Sequence, residues 1–192
     1  MKILIAGVDE VGRGSLIGPV YAAAVILRNT ANKKKFKDSK KLSKKKREEL
    51  EIYIKRNTYW SIGSANVKEI EKLNILNATM LAMERAIKKL KIKPTLVLVD
   101  GNKTPEIKNI KLKSIIKGDN KIPEISAASI IAKVARDRFV SGLGKKFKDY
   151  KWDRNFGYGT KQHLKAIRDF GITPHHRKTF SPINKISFTW KY

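Results

Sequence analysis

The sequence predicts an α/β fold built on a mixed β-sheet. Short apolar runs of strand length alternate with segments whose apolar residues recur every three or four positions. Glycine- and proline-bearing stretches punctuate them. Four acids, Asp9, Glu10, Asp100 and Asp119, stand at the ends of apolar runs, where open α/β sheets place their sites.

Taken in order, Ile3 to Val8 reads as a buried strand and Val20 to Leu27 as a second, with GRGSLIGP turning the chain between them. The lysine-rich stretch Lys33 to Lys46 is either a solvated loop or a docking surface. It leads into a helix over about 43–56, with Leu50, Tyr53 and Ile54 on one face. Thr58 to Ala65 alternates as a third strand. Leu76, Met80, Met83, Ile87 and Leu90 then mark an amphipathic helix, stopped by Pro94. Thr95 to Val99 makes a fourth strand ending at Asp100, and Ile110 to Ile116 a fifth ending before Asp119. A helix over about 125–139 carries Ala128, Ala132, Ala135 and Phe139 on one face, small enough for close approach to a sheet. Thr160 caps a last helix that runs to Phe170 and stops at Gly171.

With 192 residues and 41% hydrophobic content, the chain suits one compact domain. Its 43 Lys plus Arg against 17 Asp plus Glu give a formal charge of +26. That charge favours polyanionic partners, nucleic acid first and an anionic membrane surface second. A lysine bias that only decorates solvated faces would give the same number, so charge alone decides little. The lack of cysteine excludes disulfides and thiolate zinc sites and agrees with a reducing compartment. No stretch approaches the roughly 20 apolar residues of a membrane span, and the start does not read as a signal peptide. A cytoplasmic protein, expected to be a monomer, is the default.

In so basic a chain, acids at the ends of apolar runs need a reason. Asp9 and Glu10 are neighbours, and on a regular strand they would point to opposite faces. The expectation is that the strand ends there, helped by Gly12 and Gly14, so that both reach one site. Gathered carboxylates repel and raise one another's pKa unless a cation neutralises them. Oxygen ligands without cysteine or a histidine cluster point to Mg²⁺ or Mn²⁺ rather than zinc. Two such ions can activate a water and stabilise the leaving 3′ oxygen of a phosphodiester. Singly, Asp100 before Gly101 and Asp119 before Asn120 read equally well as turn residues.

The motifs together say more. GVDEVGRG, DSKKLS, VDGN, KGDNKIPEISAASIIAKVARD, GYGT and GITPHHRKTF occur in that order over Ile3 to Phe180. In this the chain closely resembles ribonuclease HII, the type 2 ribonuclease H family. The resemblance implies a ribonuclease H-like mixed five-stranded sheet flanked by helices, with a C-terminal helical segment, as one domain over 1–182 and a tail over 183–192. It implies that Asp9, Glu10, Asp100 and Asp119 hold two Mg²⁺ or Mn²⁺ ions. It further implies that Gly12, Arg13 and Gly14 sense a ribonucleotide's 2′-hydroxyl, largely through backbone atoms. Tyr158 falls on the tyrosine that packs against the sugar of the following deoxynucleotide, and Lys40 and Lys41 on a basic loop that meets phosphates. The implied partners are RNA/DNA hybrids and DNA duplexes with embedded ribonucleotides, cut 5′ of the ribonucleotide to leave a 3′-hydroxyl and a 5′-phosphate. The physical chemistry agrees: glycines admit close backbone approach, and the 2′-hydroxyl is what separates RNA from DNA. Without the resemblance, Tyr158 also reads as a core aromatic beside Phe156.

Other residues carry less. Asp137 reads as an ion-pair residue, His176 as a packing residue or phosphate contact, His175 as a surface residue, and His163 as exposed or cap-related. The family usually has Ser where Thr179 stands. The tail INKISFTWKY has no assigned role, an edge strand, a DNA contact and a partner-binding segment all being open. Two rivals remain. A ribonuclease HIII-like hybrid nuclease shares the acids, but it usually carries an extra N-terminal domain and commonly departs from GRG. A non-catalytic basic RNA-binding module explains the charge but not the four acids.

Overall fold

The computed structural model describes residues 3–32, 36 and 42–185. Five strands, β1 (Ile5–Val11), β2 (Val20–Leu27), β3 (Thr58–Ala65), β4 (Leu96–Asp100) and β5 (Lys111–Ile115), form one sheet in the order β3-β2-β1-β4-β5. The first three pair antiparallel, and β4 and β5 run parallel to β1, so the sheet is mixed. All five predicted strands are present.

Both faces are covered, and the alternation in β2 shows how. Ala22, Ala24 and Ile26 face helix α2 (Val67–Lys88), while Ala23 and Val25 face α4 (Pro123–Lys146) and α1 (Lys44–Asn57). Small residues set the spacing: a Cβ on Gly7 would lie 2.1 Å from the Glu124 carbonyl carbon, and one on Gly63 2.2 Å from Ala82 O. A third core joins Leu16 and Ile17 to Val140, Tyr150, Trp152, Ala166 and Ile167 of the C-terminal part. That part includes the short helix α5 (Trp152–Asn155) and helix α6 (Lys161–Phe170), capped by Thr160 as expected. Ile183, at the expected start of the tail, is buried in this same core. The rest of the tail, 186–192, lies outside the described residues.

The helices differ from expectation in instructive ways. α2 begins nine residues before Leu76, behind a capping box in which Asn66 and Glu69 satisfy each other's backbone N–H. Asn74 interrupts it with φ 63°, and its Oδ1 accepts from the N–H groups of Leu76 and Asn77 as a second, internal cap. The periodicity that starts at Leu76 therefore marks only the second half. α4 runs on to Lys146, and its buried ridge includes Ala127, Ala128, Ile131 and Val134. Phe139 does not join that ridge: the helix outruns the sheet, and Phe139, 37% exposed, meets Tyr21 at the start of β2. Among the described residues no helix is long and apolar enough to cross a membrane.

Candidate active site

β1 does not stop before the acids. It continues through Asp9 and Glu10 to Val11, paired throughout with β2. The two side chains nevertheless line one cleft of about 340 Å³ together with Asp100. The parallel pairing of β1 with β4 ends at Val8 and Val99, which leaves the β1 edge open where Asp100 closes β4. An open strand edge, rather than a strand end, brings neighbouring side chains to one place.

Asp9 is 5% exposed. Burial holds its carboxyl well above the usual carboxylate range, and Glu10 and Asp100 add repulsion. Glu10 is raised too, mainly by burial, while Arg13 opposes this with an ion pair at 3.2 Å. Asp100 Oδ1 accepts from the backbone N–H of Gly118 at 2.7 Å. This tethers β4 to the turn of helix α3 (Gly118–Lys121), on which Asp119 sits, buried and outside the cleft walls. Asp119 is thus a helix residue, one position beyond a contact with Asp100, and not the residue after a strand. Among the described residues no three His, Asp or Glu side chains are drawn together closely enough to hold a metal ion as they stand.

The opposite wall comes from α4 and the turn before α6. Ser129, Ile130 and Lys133 line the cleft with Arg47 and Tyr158. Lys133 pairs with Asp137 at 2.9 Å and lies over the Phe156 ring, so Asp137 is the ion-pair residue expected. Tyr158 is 37% exposed, which sets aside the core-aromatic reading.

Two buried arginines sit behind the GRG loop. Arg136 and Arg177 are each 0% exposed. Arg136 donates to Phe156 O at 3.2 Å, and its guanidinium lies 5.7 Å from the Tyr158 ring centre. Arg177 donates from Nε to Gly18 O and from Nη1 to Arg13 O, both at 2.9 Å. Burial lowers the pKa of both, that of Arg177 to about 9. Gly12 has φ 91°, and a Cβ there would lie 2.1 Å from Arg136 Nε, so both backbone and space require glycine. The loop and the Tyr158 turn also hold each other directly, through Leu16 N to Gly157 O at 2.8 Å and Ser15 Oγ to Gly157 O at 3.1 Å.

The structure therefore gathers Asp9, Glu10, Asp100 and Tyr158 in one cleft, with Arg13 touching it through Glu10. Lys40 and Lys41 lie outside the described residues. Sequence reasoning missed Arg47, Ser129, Lys133, Arg136 and Arg177. The i, i+4 spacing of Ser129 and Lys133 on a helix was the available signal for two of them. The histidines meet expectation in part. His163 is fully buried, although its backbone N–H does donate to the cap Thr160. His176, buried at 1% exposure against Tyr150, Trp152 and His163, is the packing residue of its two expected readings, and His175 is half-buried against Phe147 and Trp152 rather than at the surface.

A profile of the family described as Ribonuclease HII matches residues 6–190. The chain belongs to the ribonuclease HII family. A ribonuclease HII of Pelagibacter ubique is 70% identical over 186 residues, covering 97% of this chain and 100% of that one. One from Neisseria meningitidis serogroup B is 49% identical over 97% of this chain and 96% of its own length. The crystal structure of ribonuclease H2 from Pyrococcus horikoshii OT3 superposes with a TM-score of 0.80 at 27% identity, over 95% of this chain and 96% of that one. As a ribonuclease HII the chain is a type 2 ribonuclease H with the ribonuclease H-like fold. Both rivals, the ribonuclease HIII-like reading and the non-catalytic module, give way.

Proposed function

We propose that this ribonuclease HII cuts the phosphodiester 5′ of a ribonucleotide, in RNA/DNA hybrids and in DNA duplexes carrying embedded ribonucleotides, leaving a 3′-hydroxyl and a 5′-phosphate. The observation that carries the reading is the meeting of Asp9, Glu10, Asp100 and Tyr158 in one cleft, beside a GRG loop tied to the Tyr158 turn.

The donor set suits hard divalent cations, because every candidate ligand is a carboxylate. The repulsion that raises the Asp9 carboxyl is what a cation relieves. On this reading Asp9, Glu10, Asp100 and Asp119 hold two Mg²⁺ or Mn²⁺ ions. When bound, such ions supply a nucleophilic water at neutral pH and stabilise the leaving oxygen. The rest falls to the chain. Backbone atoms of Gly12, Arg13 and Gly14 meet the 2′-hydroxyl, a donor and acceptor absent from DNA. The Tyr158 ring offers a flat face to the next deoxyribose and leaves no room for a second 2′-oxygen. Arg47 and Lys133 bring positive charge to the cleft, and Lys40 and Lys41 add phosphate contacts that set affinity rather than site choice.

The test is cleavage of a DNA duplex with one embedded ribonucleotide in Mg²⁺, mapped to the nucleotide. A cut on the 5′ side of the ribonucleotide is expected. Cleavage only within runs of ribonucleotides would remove the junction specificity assigned to Tyr158. Tight binding without cleavage in Mg²⁺ or Mn²⁺ would overturn the reading.

A further inference from the structure

Three consecutive carbonyls carry the Tyr158 turn. Phe156 O accepts from Arg136 and Gly157 O from Leu16 N. The third, Tyr158 O, is held from behind, by Thr160 N at 2.8 Å and by His163 Nδ1 at 3.0 Å. The chemistry of its neighbours sets the tautomer of His163. Trp152 Nε1 lies 2.9 Å from His163 Nε2, and an indole nitrogen only donates, so Nε2 accepts. The ring proton is therefore on Nδ1, where it donates to Tyr158 O. The same argument gives His176 the opposite tautomer: Thr173 N–H donates to its Nδ1 at 2.8 Å, which leaves its proton on Nε2, 3.3 Å from His163 Nε2. Two donors converge on one lone pair. Both rings are buried and neutral, since desolvation lowers the pKa of each, His176 to about 3.

We infer that His163 is a positioning residue for Tyr158, with its tautomer locked by Trp152 and His176. The other neutral tautomer would aim a lone pair at Tyr158 O and repel it. His163 does not line the cleft; it acts by fixing the backbone from which the exposed Tyr158 ring projects. A small displacement of a substrate-positioning group can cost on the order of a hundredfold in rate. The inference rests on the role proposed above for Tyr158.

Two experiments test it. Long-range ¹H–¹⁵N correlation of the wild-type protein at neutral pH should show His163 protonated at Nδ1 alone, and a proton on Nε2 would overturn the assignment. In the second, kcat and KM are measured on the single-ribonucleotide duplex for His163→Gln, Trp152→Phe, Tyr158→Ala and the double variant His163→Gln/Tyr158→Ala. Glutamine can meet Trp152 but is displaced from Tyr158 O, and phenylalanine keeps the ring while deleting the locking N–H. Each should lower kcat by about tenfold with KM changed less than about twofold, and His163→Gln should add less than about twofold once Tyr158 is alanine. Equal costs in both backgrounds would mean that His163 acts on the fold and not through Tyr158. Failure of the wild-type protein to cut this duplex, by contrast, would count against the proposed function, and the tautomer measurement would still judge the lock.

Discussion

Arg177 Nη1 donates to the backbone carbonyl of Arg13 at 2.9 Å, so the middle residue of the GRG loop is held by a buried cation 164 residues away in sequence. Among the described residues neither Arg177 nor Arg136 forms an ion pair. Arg136 donates to Ile17 O of the loop and Phe156 O of the Tyr158 turn, and Arg177 to two loop carbonyls, Arg13 O and Gly18 O. A guanidinium can serve two carbonyls at fixed angles, where an ammonium is a point donor.

Arg177→Lys should therefore lose one of the two loop contacts. We expect a destabilisation of about 1–3 kcal/mol in urea unfolding, the cost of a buried acceptor left unmet. Cleavage at a single ribonucleotide should fall more than stability alone explains at a temperature where the variant is fully folded.

Gly12 and Gly14 make a contrasting pair. At Gly12 an alanine meets both a left-handed φ and Arg136, and Gly12→Ala should lower both the melting temperature and activity. At Gly14 a Cβ meets nothing within 4 Å. Gly14→Ala should leave the melting temperature unchanged, and loss of ribonucleotide cleavage would then report directly on substrate approach. Full activity in Gly14→Ala would count against a close sugar contact there.

Asp9 has its folded-state pKa raised, so its contribution to stability is present at low pH and is lost as pH rises through that raised value. At neutral pH and without divalent metal, Asp9→Asn should be more stable than the parent protein, while in Mg²⁺ its cleavage is abolished. Each kcal/mol gained would appear as a rise of about 2–4 °C by calorimetry in chelator. A lower melting temperature would show that the carboxylate is stabilising rather than repelled.

The sign is opposite at His176, whose folded pKa is depressed from 6.5 to about 3. Below about pH 6.5 the unfolded chain takes up a proton that the native ring refuses, so stability falls with acidity at about 1.4 kcal/mol per unit. His176→Asn, which keeps an acceptor for Thr173 N–H, should flatten the dependence of urea midpoint on pH between 6.5 and 5. An unchanged slope would mean that other groups carry the acid sensitivity.

The sequence by itself determined the five strands, the cap at Thr160, and the acids Asp9, Glu10 and Asp100 and the GYGT tyrosine as candidates that meet in one cleft, because each is a local signal. Hydrophobic period, capping chemistry and motif spacing are properties of a few adjacent residues. What only the tertiary structure decided are relationships across distance. The β1–β4 pairing ends at Val8, which leaves the β4-facing edge of β1 open beside Asp100 and lets Asp9 and Glu10 share a cleft from within a strand. Arg136, Arg177 and His163 carry polar side chains that a local reading places at the surface. They are buried because their partners are backbone carbonyls of loops remote in sequence, and a carbonyl acceptor exists at every residue, so nothing in the sequence marks which one will be met.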